Sequence, residues 1–330
     1  MGPHSTVLPL SRRTLLGAGL AAVLPLGAQA QAFPSRPVTL VVPFPAGGSV
    51  DQIARLYAEP LAKVLGTSVV VDNRPGAGGS IASAQVARAK ADGYTLLYGT
   101  QGVLAANPYL YKSINFDVQK DFTPVGLTYE TAHMLVVRPD LPARTTEEFI
   151  ALAKASPGKL VYGSSGVGGG SHLFMEYFQH SAGIKLLHAP YKGGGPALTD
   201  LLGGRLDAML DSIPSAATQV KAGKLRALGV SGAQRDPEFP DVPTLAEGGA
   251  KDFAAVSWGA IMAPAGTPDD VVRKLSLALS QAIDEPGTRK LMAERGASVN
   301  PSTPEQAAQR IAQDQERWST VIREAGISAE

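Results

Sequence analysis

The chain has 330 residues, of which 30 are basic and 29 acidic, 44% are hydrophobic and none is cysteine. Disulfides, thiol catalysis and cysteine-ligated metals are therefore excluded, and near-neutral charge without a Lys/Arg block argues against binding to nucleic acid or to an anionic membrane surface. A chain of this length can bury substantial cores and favours two domains.

The first thirty residues have the pattern of an export signal. Ser-Arg-Arg at residues 11–13 precedes an apolar run at residues 15–26, and Ala-Gln-Ala at residues 28–30 is a small-x-small cleavage site. The order Ser-Arg-Arg-x-x-Leu also resembles a twin-arginine signal. Because the apolar run is short for a membrane span, we predict cleavage rather than anchoring, and a periplasmic mature protein.

The next segment combines a strand, a glycine loop and a helix. Residues 38–42, VTLVV, predict a strand that is buried on both faces, and residues 43–48, PFPAGG, end it. Ser49 is predicted as the N-cap of the following helix, with Gln52 completing a capping box. Free amides at the positive end of a helix dipole favour a carboxylate or a phosphate, although an ordinary turn has the same pattern.

This order of strand, glycine loop and helix recurs along the chain. The further predicted strands are residues 69–71, 95–98, 134–137, 160–162, 185–189 and 256–262. The further predicted helices begin at residue 81 and cover residues 146–155, 171–182, 269–283 and 305–325. The five glycine loops are residues 43–48, 73–80, 99–102, 163–171 and 191–196. Alternating strands and helices predict parallel α/β sheets, whose ligands bind at the carboxyl ends of the strands, where all five loops stand.

Two such series predict two lobes with a cleft between them, as in a type II-like periplasmic binding protein fold. Residues 31–132 and 257–330 would form lobe 1, and residues 133–256 would form lobe 2. Strands crossing near residues 133–138 and 256–262 would form the hinge.

Motifs for enzymatic chemistry are missing from the sequence. It has no G-x-S-x-G elbow, no P-loop frame and no dinucleotide fingerprint. Asp207 and Asp211 lie four residues apart along a predicted strand, about 13 Å, which is too far for an acid/base pair. We therefore expect no enzyme activity, no cofactor and no metal.

Three side chains have two interpretations each. Asp51, in the first turn of its helix, caps that helix or orients a ligand amine or a bridging water. His172 donates to a ligand carboxylate or hydrogen-bonds the loop beneath it. Lys192 clamps an anion or is a solvated loop charge.

Several ordered motifs resemble one family. They are PFPAGGSVD at residues 43–51, NRPGAGG at 73–79, ADGYTLL at 91–97, PYKGGGPA at 190–197 and LLGGRLD at 201–207. These motifs resemble those of the Bug-type solute receptors of tripartite tricarboxylate transporters. The resemblance runs from about Phe33 to the C-terminus. The resemblance implies a periplasmic two-lobed protein that closes on a small carboxylate, held largely by backbone amides and water.

The resemblance also implies the residues that contact the ligand. They are Phe44, Ala46, Gly47, Gly48, Asp51, Gly78 and Thr100 in lobe 1, and Ser164, Ser165, Gly166, Ser171, His172 and Tyr191 in lobe 2. The ligand could be an aliphatic, amino or aromatic acid. The expected partner is the permease of a tripartite transporter, and the receptor is expected to be a monomer.

Two other functions stay open at this point. The same fold could present its solute to a signalling partner in place of a permease. A periplasmic hydrolase using Ser165 and His172 is the enzyme alternative.

Overall fold

The protein is an α/β structure in which two groups of strands are joined through one long strand. The computed structural model describes Gly2, residues 33–299 and residues 301–329, so the predicted export signal lies, apart from Gly2, outside the described residues. The strands are β1 (Val38–Val42), β2 (Val69–Asn73), β3 (Thr95–Thr100), β4 (Phe122–Val137), β5 (Val161–Ser164), β6 (Leu187–Pro190), β7 (Ala208–Ser212), β8 (Arg226–Val230) and β9 (Val256–Pro264).

The helices lie mostly between these strands. They are α1 (Ser49–Leu65), α2 (Ser80–Ala87), α3 (Asn107–Leu110), α4 (Val118–Asp121), α5 (Thr146–Ala155), α6 (Gly170–Ala182), α7 (Gly194–Leu202), α8 (Ile213–Lys221), α9 (Asp269–Asp284), α10 (Pro286–Ala293) and α11 (Pro304–Glu324). A 3₁₀ turn covers Ala77–Gly79 and a π-helical turn covers Gly102–Ala106. Among the described residues, none of the helices combines the length and the apolar character that crossing a bilayer requires.

The order of strands along the sheet is β2-β1-β3-β9-β4-β7-β5-β6, with β8 paired to β4. Strands β1, β2 and β3 are parallel, as are β5, β6 and β7. Strand β9 is antiparallel to both of its neighbours, β3 and β4. The prediction of an α/β fold built largely from parallel strands is therefore confirmed.

Strand β4 connects the two groups. Its first part, up to Ala132, pairs with β9, and its last part, from His133 to Val137, pairs with β7 and β8. Only residues 134–137 of it were predicted as a strand, because Pro124 and Gly126 interrupt the apolar pattern. The structure accommodates these two residues with register shifts, which let the strand continue across an irregularity.

Most other predicted elements are present with small changes at their ends, and α5 has the predicted bounds. The predicted capping box of α1 is wrong. Gly48 is the N-cap, no side chain caps the helix, and Ser49 is its first residue. The Gln52 side chain instead donates to the Gly47 carbonyl at 3.0 Å. Helix α1 thus begins after an extended glycine, and no side chain caps its first amides.

Helix α11 is fixed to the sheet by a buried polar contact. The Trp258 indole of β9, fully buried, donates to Asp314 Oδ2 at 2.5 Å. Arg317 pairs with the other carboxylate oxygen at 2.6 Å, and Arg310 approaches at 3.4 Å. The Asp314 carboxylate is therefore buried and fully partnered, which makes it costly to remove.

We expect Asp314→Ala to lower the free energy of unfolding by about 3 kcal/mol, since it leaves the buried Trp258 indole N–H and the Arg317 guanidinium without their acceptor, while Arg310 keeps its ion pair with Glu130. Denaturant unfolding measures this change. The matched control is Asp284→Ala, which removes an exposed ion pair with Arg289 and should cost less than about 1 kcal/mol. Equal losses in the two variants would contradict the assignment.

Candidate functional site

A cavity of about 330 Å³ lies where four of the five glycine loops meet. Phe44, Gly78 and Thr100 enter it from the ends of β1, β2 and β3, and residues 167–170 enter it from the loop after β5. The fifth loop lies behind the fourth, because the amides of Tyr191 and Gly193 donate to the carbonyls of Ser164 and Ser165 at 3.1 and 3.2 Å. The strand ends thus bring four loops to the cavity, and the fifth supports one of them.

The cavity has a neutral lining. Its residues are Phe44, Val50, Gly78, Thr100, Gln101, Gly102, Val103, Asn107, Leu110, Tyr111, Tyr129, Val167, Gly168, Gly169, Gly170, Ser257, Trp258 and Ala329. None of these residues has an ionisable acid or base of the Asp, Glu, Lys, Arg or His type. A bound anion would therefore be held by neutral donors and by backbone dipoles.

The first loop, residues 43–48, is held by hydrogen bonds to Asp51 and Asn73. The Gly47 amide donates to Asp51 Oδ2 at 2.8 Å, and Asn73 Nδ2 donates to Asp51 Oδ1 at 2.9 Å and to the Phe44 carbonyl at 3.1 Å. Arg55, one turn along α1, forms an ion pair with the same carboxylate at 3.0 Å. This network fixes Phe44 at the edge of the cavity.

The Asp51 carboxylate is 2% exposed and has protein partners on both oxygens. Burial raises its pKa, but the hydrogen bonds from Arg55, Gly47 and Asn73 outweigh burial and hold the pKa below its ordinary value. Of the two interpretations of Asp51, the geometry favours an internal acceptor that orders the loop. Its contact with a ligand stays a prediction.

The fourth loop, residues 163–171, has its own network. The Ser165 amide donates to Ser171 Oγ at 2.9 Å, and the two serine hydroxyls lie 3.0 Å apart. The Gly166 amide donates to Ser164 Oγ at 3.2 Å. The predicted serines are thus brought together, and they hold the turn that carries residues 167–170 into the cavity.

Two histidines, His172 and His188, form hydrogen bonds with this loop. The Gly168 amide donates to His172 Nδ1 at 3.1 Å, and His188 Nε2 lies 2.7 Å from Ser164 Oγ. The two imidazole rings stack with centroids 4.0 Å apart, and Tyr162 stacks on His188 at 4.8 Å. Of the two interpretations of His172, the geometry therefore favours the hydrogen bond to the loop over a contact with a ligand carboxylate.

The stacked rings are kept neutral. Burial, followed by the nearby His188, lowers the pKa of His172 to about 3. Burial also lowers the pKa of His188. Because Nδ1 of His172 must be unprotonated to accept from Gly168, charging this ring would remove a support of the loop.

The alternative Ser165–His172 pair does not form a hydrogen-bonded dyad in the structure. The Ser165 hydroxyl contacts Ser171, and the ring nitrogens of His172 face the Gly168 amide and Glu176 Oε1, the latter at 3.8 Å. The Ser164 hydroxyl does contact a histidine, His188, but Ser164 is fully buried. Within the described residues, no three His, Asp or Glu side chains are grouped as a metal site.

Of the thirteen predicted contact residues, Phe44, Gly78 and Thr100 line the cavity, and the others belong to the loops and networks around it. Lys192 is exposed. Gln101, Tyr111 and Trp258 also line the cavity but are not among the predicted contact residues. A polar residue directly after a strand end, in Gly-Thr-Gln-Gly, could have indicated Gln101. Tyr111 packs so closely on Gly78 that a Cβ at position 78 would collide with the tyrosine hydroxyl. The two residues are 33 positions apart in the sequence, so no local pattern predicts their contact.

Comparison with known proteins places these observations in a family. A family model described as the tripartite tricarboxylate transporter family receptor matches residues 53–327. Protein BugT of Bordetella pertussis is 38% identical over 310 residues, which cover 94% of each chain. A structure of R. palustris Rpa4515 with adipate is 36% identical with a TM-score of 0.76, covering 90% of this chain and 99% of that one. MatC from Rhodopseudomonas palustris, with bound malate, is 35% identical with a TM-score of 0.74, covering 88% and 100%.

The stacked histidines predict an acid-sensitive stability. The unfolded imidazole titrates near pH 6.5 and the folded one near 3, so the unfolded state binds more protons and stability falls as the pH drops from 6.5 toward 3. We expect His172 to contribute about 2 kcal/mol to the loss between pH 7 and pH 4.5. Denaturant unfolding at both pH values should show that His172→Phe, which cannot titrate, has a smaller loss than the wild type.

The control for this prediction is His180→Gln, which replaces a half-exposed histidine of α6. This variant keeps the His172 ring, so it should retain the loss of stability that His172→Phe removes. His172→Phe also removes an acceptor at every pH, so only the difference between the two pH values is diagnostic. An unchanged difference in His172→Phe would contradict the assignment.

Proposed function

Because this chain belongs to the receptor family of tripartite tricarboxylate transporters, we propose that it is a periplasmic receptor that captures a small organic carboxylate by closure of its two lobes. It then delivers the solute to the membrane permease of a tripartite transporter. The observation that carries this proposal is the neutral cavity between four strand-end glycine loops.

A carboxylate fits such a cavity for electrostatic reasons. Helix α1 starts directly after the first glycine loop, and α6 starts at the end of the fourth. The first amides of each helix have no partner within the helix, and the helix dipole is positive at that end. The two helix N-termini supply several N–H donors, which can hold a carboxylate without a lysine or an arginine.

The ligand class draws support from the two similar structures. R. palustris Rpa4515 is described with adipate and MatC with bound malate, and both ligands are carboxylic acids. We extend only the class to this chain. Aliphatic acids, amino acids and aromatic acids are all included, since backbone amides bind the carboxylate that they share.

The proposed lobes are residues 31–132 with 257–330, and residues 133–256. Strand pairing supports this division, because β4 changes partners between Ala132 and His133 and β9 begins at Val256. Across the cleft, a Cβ built at Gly168 of lobe 2 would lie 3.1 Å from Leu110 of lobe 1. Closure would hold the loop at residues 167–170 against lobe 1, where this contact lies.

The remaining parts of the proposal follow from this role. The receptor makes and breaks no bond, needs no cofactor and acts as a monomer. It reaches the periplasm through a cleaved signal at residues 1–30, and its protein partner is the permease. The internal hydrogen bonding of Ser165 and of His172 supports a binding role over hydrolysis.

Ligand binding should raise the thermal stability of the mature protein. We expect one class in a panel of mono-, di- and tricarboxylates, amino acids and aromatic acids to raise the melting temperature. A ligand at one hundred times its dissociation constant adds about 2.7 kcal/mol to the free energy of unfolding. The protein must first be unfolded, dialysed and refolded to remove any solute that it carries.

The matched control is the methyl ester of each acid that binds, which has similar size but no negative charge. The ester should give little stabilisation, because the amide donors hold a carboxylate more strongly than an ester carbonyl. Equal stabilisation by acid and ester would contradict carboxylate recognition.

Lobe closure should be visible as compaction. Small-angle X-ray scattering of the refolded mature protein should give a smaller radius of gyration once a binding acid is saturating, and the ester should leave the radius unchanged. The expected direction follows from the hinge at β4 and β9. An unchanged radius at proven saturation would rule out closure while leaving carboxylate binding intact.

A further inference from the structure

One lining residue of the cavity has a buried hydrogen-bond donor without an acceptor. Gln101 follows the last residue of β3 and is 3% exposed, and its Nε2 has no partner. Among the described residues, four buried side-chain atoms lack a partner, in Gln101, His133, Asp211 and Trp318. Of these four residues, only Gln101 lines the cavity. Buried donors are normally satisfied, so this one needs an explanation.

The position of Gln101 is fixed by the backbone on either side. Thr100 Oγ1 accepts from the Val103 amide at 3.4 Å, which closes the turn around Gln101. The π-helical turn that follows, Gly102–Ala106, has buried side chains, and its Leu104 carbonyl accepts from Gln315 of α11 at 2.9 Å. Such π-helical turns are frequent at functional sites. The Gln101 side chain therefore extends from a rigid base.

Two other side-chain N–H donors of the cavity lining are already in use. Asn107 Nδ2 donates to the Gly78 carbonyl at 2.9 Å, and the Trp258 indole donates to Asp314 at 2.5 Å. Among the side-chain N–H groups of the lining, the Gln101 carboxamide thus remains for a ligand, beside the hydroxyls of Thr100, Tyr111, Tyr129 and Ser257. The amides at the starts of α1 and α6 can hold one carboxylate, and Gln101 supplies a further donor outside those amides.

We propose that Gln101 Nε2 donates a hydrogen bond to a second acceptor group of the bound acid and so selects acids that carry such a group over acids of similar size that lack it. This inference rests on the proposed function. A second carboxylate is the strongest acceptor, because a hydrogen bond to an ionised group is about twice as strong as one between neutral groups. An acid with an apolar end gains no such hydrogen bond, so the site prefers the acid that carries the second acceptor.

The test compares matched ligand pairs on two proteins. Isothermal titration would measure adipate against hexanoate, succinate against butyrate, and terephthalate against benzoate, on the wild type and on Gln101→Leu. We expect the wild type to prefer the dicarboxylate of at least one pair. Gln101→Leu should bind that dicarboxylate about 10- to 100-fold more weakly, and the monocarboxylate of the same pair less than about threefold more weakly.

Two further variants keep the test decisive. Gln101→Glu removes the donor and adds a like charge, so it should weaken dicarboxylate binding more than Gln101→Leu does. Gln313→Leu replaces an exposed glutamine of α11 outside the cavity and should bind like the wild type. The unliganded Gln101→Leu protein should also melt no lower than the wild type, since it loses a donor that has no partner.

Distinct outcomes separate this inference from the proposed function. Equal losses for both acids of a pair in Gln101→Leu, or no loss for either, would overturn the role of Gln101 and leave the receptor function standing. Tighter binding of the monocarboxylates by the wild type would overturn it as well. If the wild type binds none of the six acids and no acid of the thermal panel stabilises it, the carboxylate receptor is overturned and, with it, the inference that rests on it. If the panel yields a ligand that carries no second acceptor group, only the role of Gln101 is overturned.

Discussion

The antiparallel pairing of β4 with β9 is the constraint on which the rest of the structure depends. These two neighbouring strands carry the chain between the two groups of strands, and β4 exchanges β9 for β7 and β8 at a single step, between Ala132 and His133. Each flanking set of parallel strands then has its carboxyl ends at the cavity. The loops after β1, β2, β3 and β5 meet because the ladder of β4 and β9 sets the position of one set relative to the other.

Polar side chains in this site act mainly on the protein itself. Asp51 uses both carboxylate oxygens to hold Gly47 and Asn73, and His172 accepts from Gly168. An unpaired Asp51 would repel an anionic ligand, but the Arg55 ion pair and the donated hydrogen bonds compensate its charge. Charged residues thus order the loops from outside the cavity, and neutral groups line it. Ordering the loops in advance reduces the conformational entropy that binding would otherwise lose.

The sequence predicted those parts of the fold that depend on local pattern. Apolar β-branched runs and glycine loops located β1 and β3, and α5 was predicted with its observed ends. The first half of β4 was missed because its pairing with β9 tolerates Pro124 and Gly126, which strand propensity disfavours. In the site, the motifs predicted which loops approach the cavity, but Gln101 has an environment set by Thr100, the π-helical turn and α11. Distant residues such as Gln315 determine that environment, and a linear pattern contains no information on them.

A neutral cavity changes the way in which a receptor can distinguish its ligands. Backbone amides recognise a carboxylate wherever it occurs, so they bind many acids with similar strength and contribute little to specificity. Discrimination must then come from shape and from the few donors that face the rest of the ligand. A rigid, buried and unpaired carboxamide such as that of Gln101 is well suited to this task, because its desolvation is already complete before the ligand arrives. Only an acid that places an acceptor against it recovers the lost hydrogen bond, and the position of one neutral side chain can thereby separate acids of similar size.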